Sequence, residues 1–146
     1  MRTLAAAPGR PTPLAAEPLP AGRLAHRAGT ALTALVVLFL LFDGGIKVVD
    51  LDVVRESFVQ LGLDPAHRTG LGVMTLCIAL LVGWPRTALL GTLLLTGLLG
   101  GAIATHLRVG SPLFSHLLFG VYVGAAAWGG LWLRDPALRR LLPWRR

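Results

Sequence analysis

The stretch Thr96-Gly97-Leu98-Leu99-Gly100-Gly101-Ala102-Ile103-Ala104-Thr105-His106 decides the fold. It is an apolar helical run built from small residues, and it stops at a histidine followed by Arg108. Nothing in a soluble core requires glycine at 97, 100 and 101. A bilayer helix does use such residues, because they let neighbouring backbones approach where the hydrophobic effect no longer drives association. The run therefore predicts a transmembrane helix over residues 87–108.

The composition agrees. Of 146 residues, 54% are hydrophobic and only 14% charged, against roughly 25% charged in soluble domains. The mean hydropathy is +0.68. A net charge of +7 in a soluble protein would suggest a nucleic-acid partner. Here the arginines flank apolar segments, so membrane topology explains them better and no nucleic acid is expected. The single cysteine, Cys77, excludes an intramolecular disulfide and any paired-cysteine redox or zinc motif. Set mid-span among leucines, it reads as an apolar filler.

Outward from the central run, three more spans of about 20 residues follow, the length that crosses a hydrocarbon core of about 30 Å. They cover about 28–49, 65–84 and 112–133, so residues 28–133 form one four-span domain. The expected fold class is all-α, an integral membrane four-helix bundle. Residues 1–27 carry Pro8, Pro11, Pro13, Pro18 and Pro20 and read as a disordered tail. A signal peptide is the rival reading, but no small-x-small cleavage site follows the run Ala31 to Phe42, which favours a retained span. Residues 134–146 form a basic C-terminal tail. Asp64-Pro65 is a helix start with proline at the first position. Between spans one and two, Val54, Phe58 and Leu61 share one helical face, with Asp52 as the expected cap and Gly62 as the stop. A short interfacial helix fits; a plain loop is the alternative.

Four spans place Arg2, Arg10, Arg23, Arg27, Arg86, Arg134, Arg139, Arg140, Arg145 and Arg146 on one side, against Arg55, Arg68 and Arg108 on the other. The positive-inside rule then puts both termini in the cytoplasm, and the expected location is a bacterial plasma membrane. Trp84, Trp128, Trp132 and Trp144 fall toward the same side, as interfacial anchors.

The fold-back gathers the ionisable groups of the membrane region at the opposite surface. Asp43, Lys47, His106, Arg108 and His116 form the candidate polar cluster. Asp43 and Lys47 are spaced i,i+4 in the favourable order for an ion pair. An ion or proton relay is one reading, and a self-satisfied pair with a snorkelling lysine is the other. His106 stands nearly opposite Gly97 and Gly101, whereas Arg108 lies on their side. If those glycines face the bundle, His106 points outward or to a second neighbour. His116 shares a face with Gly120, Val123 and Ala127 and is the better inward polar candidate. Two histidines without an acid or cysteine cluster are a weak metal signal, so no metal is expected. Gly97, Gly100, Gly101, Gly120 and Gly124 form the candidate packing motif, read as intramolecular in preference to a dimer contact.

Several segments resemble one family. Phe42-Asp43-Gly44-Gly45-Ile46-Lys47 resembles the end of the first span in DoxX-like membrane proteins. Pro85-Arg86-Thr87-Ala88-x-x-Gly91 and Leu95-Thr96-Gly97-x-Leu99-Gly100-Gly101-Ala102-x-Ala104-Thr105-His106-x-Arg108-x-Gly110-x-Pro112-Leu113-Phe114 are similar to one DoxX-like subfamily. So is Trp128-Gly129-Gly130-Leu131-x-Leu133-Arg134-Asp135-Pro136 with Leu141-Leu142-Pro143. The resemblance covers about residues 30–143 and implies a four-helix membrane bundle. Founding members of the group are named for a quinone-linked thiosulfate oxidation system, and others act in membrane-protein assembly or cargo export. Many carry a glutamate in the second span, where this chain has Thr75.

Two functions follow as expectations. The first is a membrane subunit associated with quinone- or thiol-linked redox chemistry, with a quinone near Asp43, Lys47, His106 and His116. The second is an assembly factor or interaction partner without catalysis, engaging a membrane protein or a second copy. A solute carrier would need oligomerisation, since four spans show no inverted repeat. No catalytic residue is assigned.

Overall fold

The structure, a computed structural model, describes residues 20–141. Helix α1 runs Pro20–Val48, α2 Asp52–Gln60, α3 Arg68–Gly83, α4 Ala88–Arg108, α5 Leu118–Arg134 and α6 Pro136–Leu141. A 3-10 turn, Pro65–His67, leads into α3, and a π-helical turn, Leu113–Leu117, leads into α5. No strand occurs among the described residues. Four helical stretches are long and apolar enough to cross a membrane: Gly22–Val48, Pro65–Gly83, Ala88–Arg108 and Leu113–Arg134.

Helix starts and stops follow local chemistry. The Asp64 carboxylate accepts from the Ala66 backbone N–H at 2.8 Å, satisfying a first-turn amide that no preceding helical carbonyl reaches, and Pro65 has no N–H to leave unpaired. Gly62 and Gly110 take positive φ, 63° and 69°, where the chain reverses after α2 and α4. Two boundaries differ from the sequence reading. Helix α1 begins at Pro20, inside the segment expected to be a disordered tail. No proline interrupts the chain beyond it, and proline is tolerated in a first helical turn. The expectation for residues 1–19 lies outside the described residues, as does Trp144. Second, Asp52 is not the cap of α2; Leu51 holds that place in extended backbone, and Asp52 sits in the first turn. There its charge still complements the helix dipole.

The four long helices form a ring in which each packs antiparallel on two neighbours. Glycines mark all four crossings. A Cβ on Gly29 of α1 would lie 2.7 Å from the Gly130 carbonyl oxygen of α5. One on Gly44 of α1 would lie 2.8 Å from Leu76 of α3, and one on Gly91 of α4 2.5 Å from the Val82 nitrogen of α3. Gly120 of α5 faces Ile103 of α4 at 3.0 Å. One end of the bundle thus collects the C-terminal ends of α1 and α4 with the starts of α3 and α5. We call it the histidine end, and the opposite one the arginine end.

The core between the helices is Val36, Leu40, Ile78, Ala79, Val82, Leu95 and Ala127. Three buried threonines, Thr33, Thr75 and Thr92, would be costly there if unpaired. Each donates its hydroxyl to the carbonyl four residues earlier, at 2.8–3.0 Å. Outward faces stay apolar: Leu38, Leu80 and Phe114 are 64%, 69% and 74% exposed. Water would not tolerate that surface as a monomer; lipid does.

Candidate functional site

At the histidine end, Asp43 and Lys47 form the expected ion pair along α1, both half-buried. Lys47 Nζ also reaches the Asp43 carbonyl at 3.4 Å. The lysine stem is confined because its Cβ lies against Gly72 of α3. The pair is therefore closed on itself, with the head held near the surface.

His106 and His116 meet. Their ring centroids are 5.3 Å apart and the planes are tilted by 58°. His106 Nδ1 lies 3.0 Å from Ser111 Oγ, and His116 Nδ1 lies 2.7 Å from Ser115 Oγ. Each serine orients one ring nitrogen and leaves the other, Nε2, with no hydrogen bond among the described residues. The facing assigned from sequence is reversed. His106 is partly covered and His116 exposed. His106 shares the inward face of α4 with Leu95, since eleven residues return a helix almost to the same azimuth. His116 leaves the Gly120 face because residues 113–117 wind as a π turn, which breaks the 100° step.

The packing motif needs the same correction. A Cβ added at Gly97, Gly100 or Gly101 would meet nothing within 4 Å. These glycines do not join the bundle; they face outward, two, five and six positions from the buried Leu95, steps that at 100° per residue all land on the far side of α4. Gly120 does pack, and Gly124 touches Leu99 at an ordinary 3.6 Å. Besides Gly120, the crossings rest on Gly29, Gly44, Gly72, Gly91 and Gly130.

Arg108 does not reach the other cluster members. Its guanidinium donates to the Leu61 carbonyl at 2.7 Å and the Gly62 carbonyl at 3.4 Å, tying the end of α4 to the loop after α2. Beside it lies a network that sequence reasoning missed. Asp50 takes positive φ, 64°, and its carboxylate accepts from Arg55 at 2.6 Å and pairs with Arg68. The Arg55 hydrogen bond first, then that of Arg68, holds the Asp50 carboxyl below the usual carboxylate range. Arg55 is raised in return, chiefly by its hydrogen bond to Asp50. The i,i+5 spacing of Asp50 and Arg55 is no helical signature, and Arg68 arrives only through the turn. Val54 and Phe58 are buried beneath this lid-like helix α2.

Chemically, the histidine end offers a two-imidazole surface, a closed ion pair and a carboxylate claimed by two guanidiniums. Thr75, where the resemblance led to a glutamate in many relatives, is 2% exposed and bonded within its own helix. Among the described residues, no three His, Cys, Asp or Glu side chains converge as metal ligands. Cys77 is exposed on the apolar surface. The Trp128 indole donates to Thr96 Oγ1 at 3.0 Å, about two turns inside α4. Comparison with known families finds one match, to the DoxX-like family, over residues 31–130. Neither the curated proteins nor the solved structures contain a match.

Proposed function

The chain belongs to the DoxX-like family of integral membrane proteins, and from that premise we propose that it acts as a bilayer-embedded interaction partner rather than as a catalyst. One observation carries this reading. The bundle closes on its own glycines at 29, 44, 91, 120 and 130, yet Gly97, Gly100 and Gly101 form a second small-residue face that nothing among the described residues covers. Small residues on a lipid-facing helix let another helix approach closely. The polar groups support the same reading, because Asp43, Lys47, Asp50 and Arg108 are all engaged within the chain. The test is photo-crosslinking from Leu94 and Ala104 on α4, with Leu38 on α1 as the control. A discrete adduct to a membrane protein or a second copy is expected from α4 alone, and Gly97→Leu with Gly101→Leu should abolish it. Equal labelling from all three positions overturns the proposal.

A second reading rests on the imidazole pair. A quinone carbonyl could accept a hydrogen bond from either Nε2 at the histidine end, which would suit a subunit of a redox system. Quinone binding by purified protein, lost in both His106→Gln and His116→Gln, would favour it over the interaction reading. We further propose that the arginine end, with both termini, lies in the cytoplasm of a bacterial cell, on the charge asymmetry between the two ends.

A further inference from the structure

We infer that the arginine end carries a docking surface for anionic phospholipid headgroups, built from the turn Trp84–Thr87 and helix α6. Three contacts bring its parts together. Leu138 of α6 is buried with Ala88 at the start of α4 and Leu131 of α5. Arg134 donates to the Val82 carbonyl at the end of α3, at 3.2 Å. Gly29 of α1 abuts Leu133 and the Arg134 nitrogen. Arg23, Arg27, Arg86, Arg134, Arg139 and Arg140 therefore share one end.

The acidic side of the balance is nearly empty. Among the described residues, Asp135 is the one acid at this end, and its carboxylate is taken by the Ala137 and Leu138 amides at 2.8 and 3.3 Å. The histidine end, in contrast, carries Asp43, Asp50, Asp52, Glu56 and Asp64 against Lys47, Arg55, Arg68 and Arg108. Its field is close to neutral, whereas that of the arginine end is strongly positive.

Not all of the arginines are free. Arg139 holds the last carbonyls of α5, donating to Trp132 at 2.8 Å and to Leu133, and lies over the Trp132 ring at 5.4 Å. That contact folds α6 back against the bundle. Arg86 and Arg140 are exposed and have no side-chain partner among the described residues. Trp84, 63% exposed, sits two residues from Arg86, and the exposed Trp132 underlies Arg139. Exposed indoles settle at headgroup depth, so Arg86 and Arg140 reach the plane of the lipid phosphates. A guanidinium matches a phosphate with paired, charge-assisted hydrogen bonds. Charge complementarity and depth together select an anionic lipid over a soluble partner.

The test uses the full chain purified in a neutral detergent. Phosphatidylglycerol should raise its melting temperature and phosphatidylcholine should not, with the effect fading as salt screens the charges. Affinity should fall about fivefold for each arginine neutralised, or about 25-fold for Arg86→Gln with Arg140→Gln. The paired change to lysine should restore most of it, which separates charge from damaged folding. Lipids retained by the wild-type chain in native mass spectrometry provide a readout that needs no variant. Equal stabilisation by phosphatidylcholine overturns the inference, as does a glutamine pair that binds like wild type. Inorganic phosphate reproducing the full shift overturns it in favour of a free-anion site.

Discussion

Asp50 turns the chain between α1 and α2, and its backbone and its charge have separable roles. Asparagine tolerates the left-handed conformation almost as well as aspartate. Asp50→Asn should therefore keep the turn and lose the pairs with Arg55 and Arg68. Hydrogen exchange in α2 should quicken while that in α3 stays slow. The sign of the pH dependence follows from the lowered carboxyl. Its contribution is present above the ordinary carboxylate pKa, near 4, and is lost as pH falls through the lowered value of the folded state. Wild type should lose its hold on α2 below about pH 4, and the asparagine variant should show no such step; a matching step in both would refute the assignment. Glycines give the second residue-scale contrast. At Gly91 a Cβ would meet backbone of α3 at 2.5 Å, whereas at Gly97 it would meet nothing. Gly91→Ala should destabilise the bundle by about 1–3 kcal/mol, and Gly97→Ala should change it by less than about 0.5 kcal/mol. Melting curves in one detergent decide between them.

Among the elements, α2 and α6 behave unlike the four long helices. Helix α2 is fastened by Val54 and Phe58 below and by guanidiniums at its ends. Elements with few apolar anchors open without global unfolding. Phe58→Ala should accelerate exchange in α2 and leave protection in α1 and α5 unchanged; loss of protection throughout would mean that α2 is integral to the bundle. Its existence was legible as apolar spacing at residues 54, 58 and 61, but its anchoring was not, because Arg108 lies 47 positions from Leu61. The π turn before α5 is a similar case. Nothing in Leu113–Leu117 announces a five-residue turn, and it alone moved His116 out of the phase that a regular helix would impose.

For the whole molecule, the antiparallel ring puts both termini at one end, and the proposed orientation, drawn from the charge asymmetry, predicts the sidedness. A reporter fused to the C-terminus should be active only in its cytoplasmic form, and one inserted after Gly62 only in its extracytoplasmic form. The reverse pattern would overturn the proposed orientation. The same antiparallel order explains why the polar groups separate by end while remaining unconnected as one site. Asp43 and Lys47 pair along α1, His106 and His116 across α4 and α5, and Arg108 with the loop.

Read alone, the sequence determined that the chain crosses a membrane four times, where three of the four spans begin within a few residues, and how its charges divide between two surfaces. Those properties depend on position along the chain, because bilayer thickness and the cost of burying charge act on each segment separately. Only the tertiary structure decided which way each helix is rotated. That rotation turned Gly97, Gly100 and Gly101 outward and His106 inward, while the turns between helices brought His116 against His106 and put Asp50 between two arginines. Rotation is set by the fit of one helix surface against two neighbours at once, and a periodic apolar pattern that is hydrophobic on every face carries no mark of which face meets protein and which meets lipid.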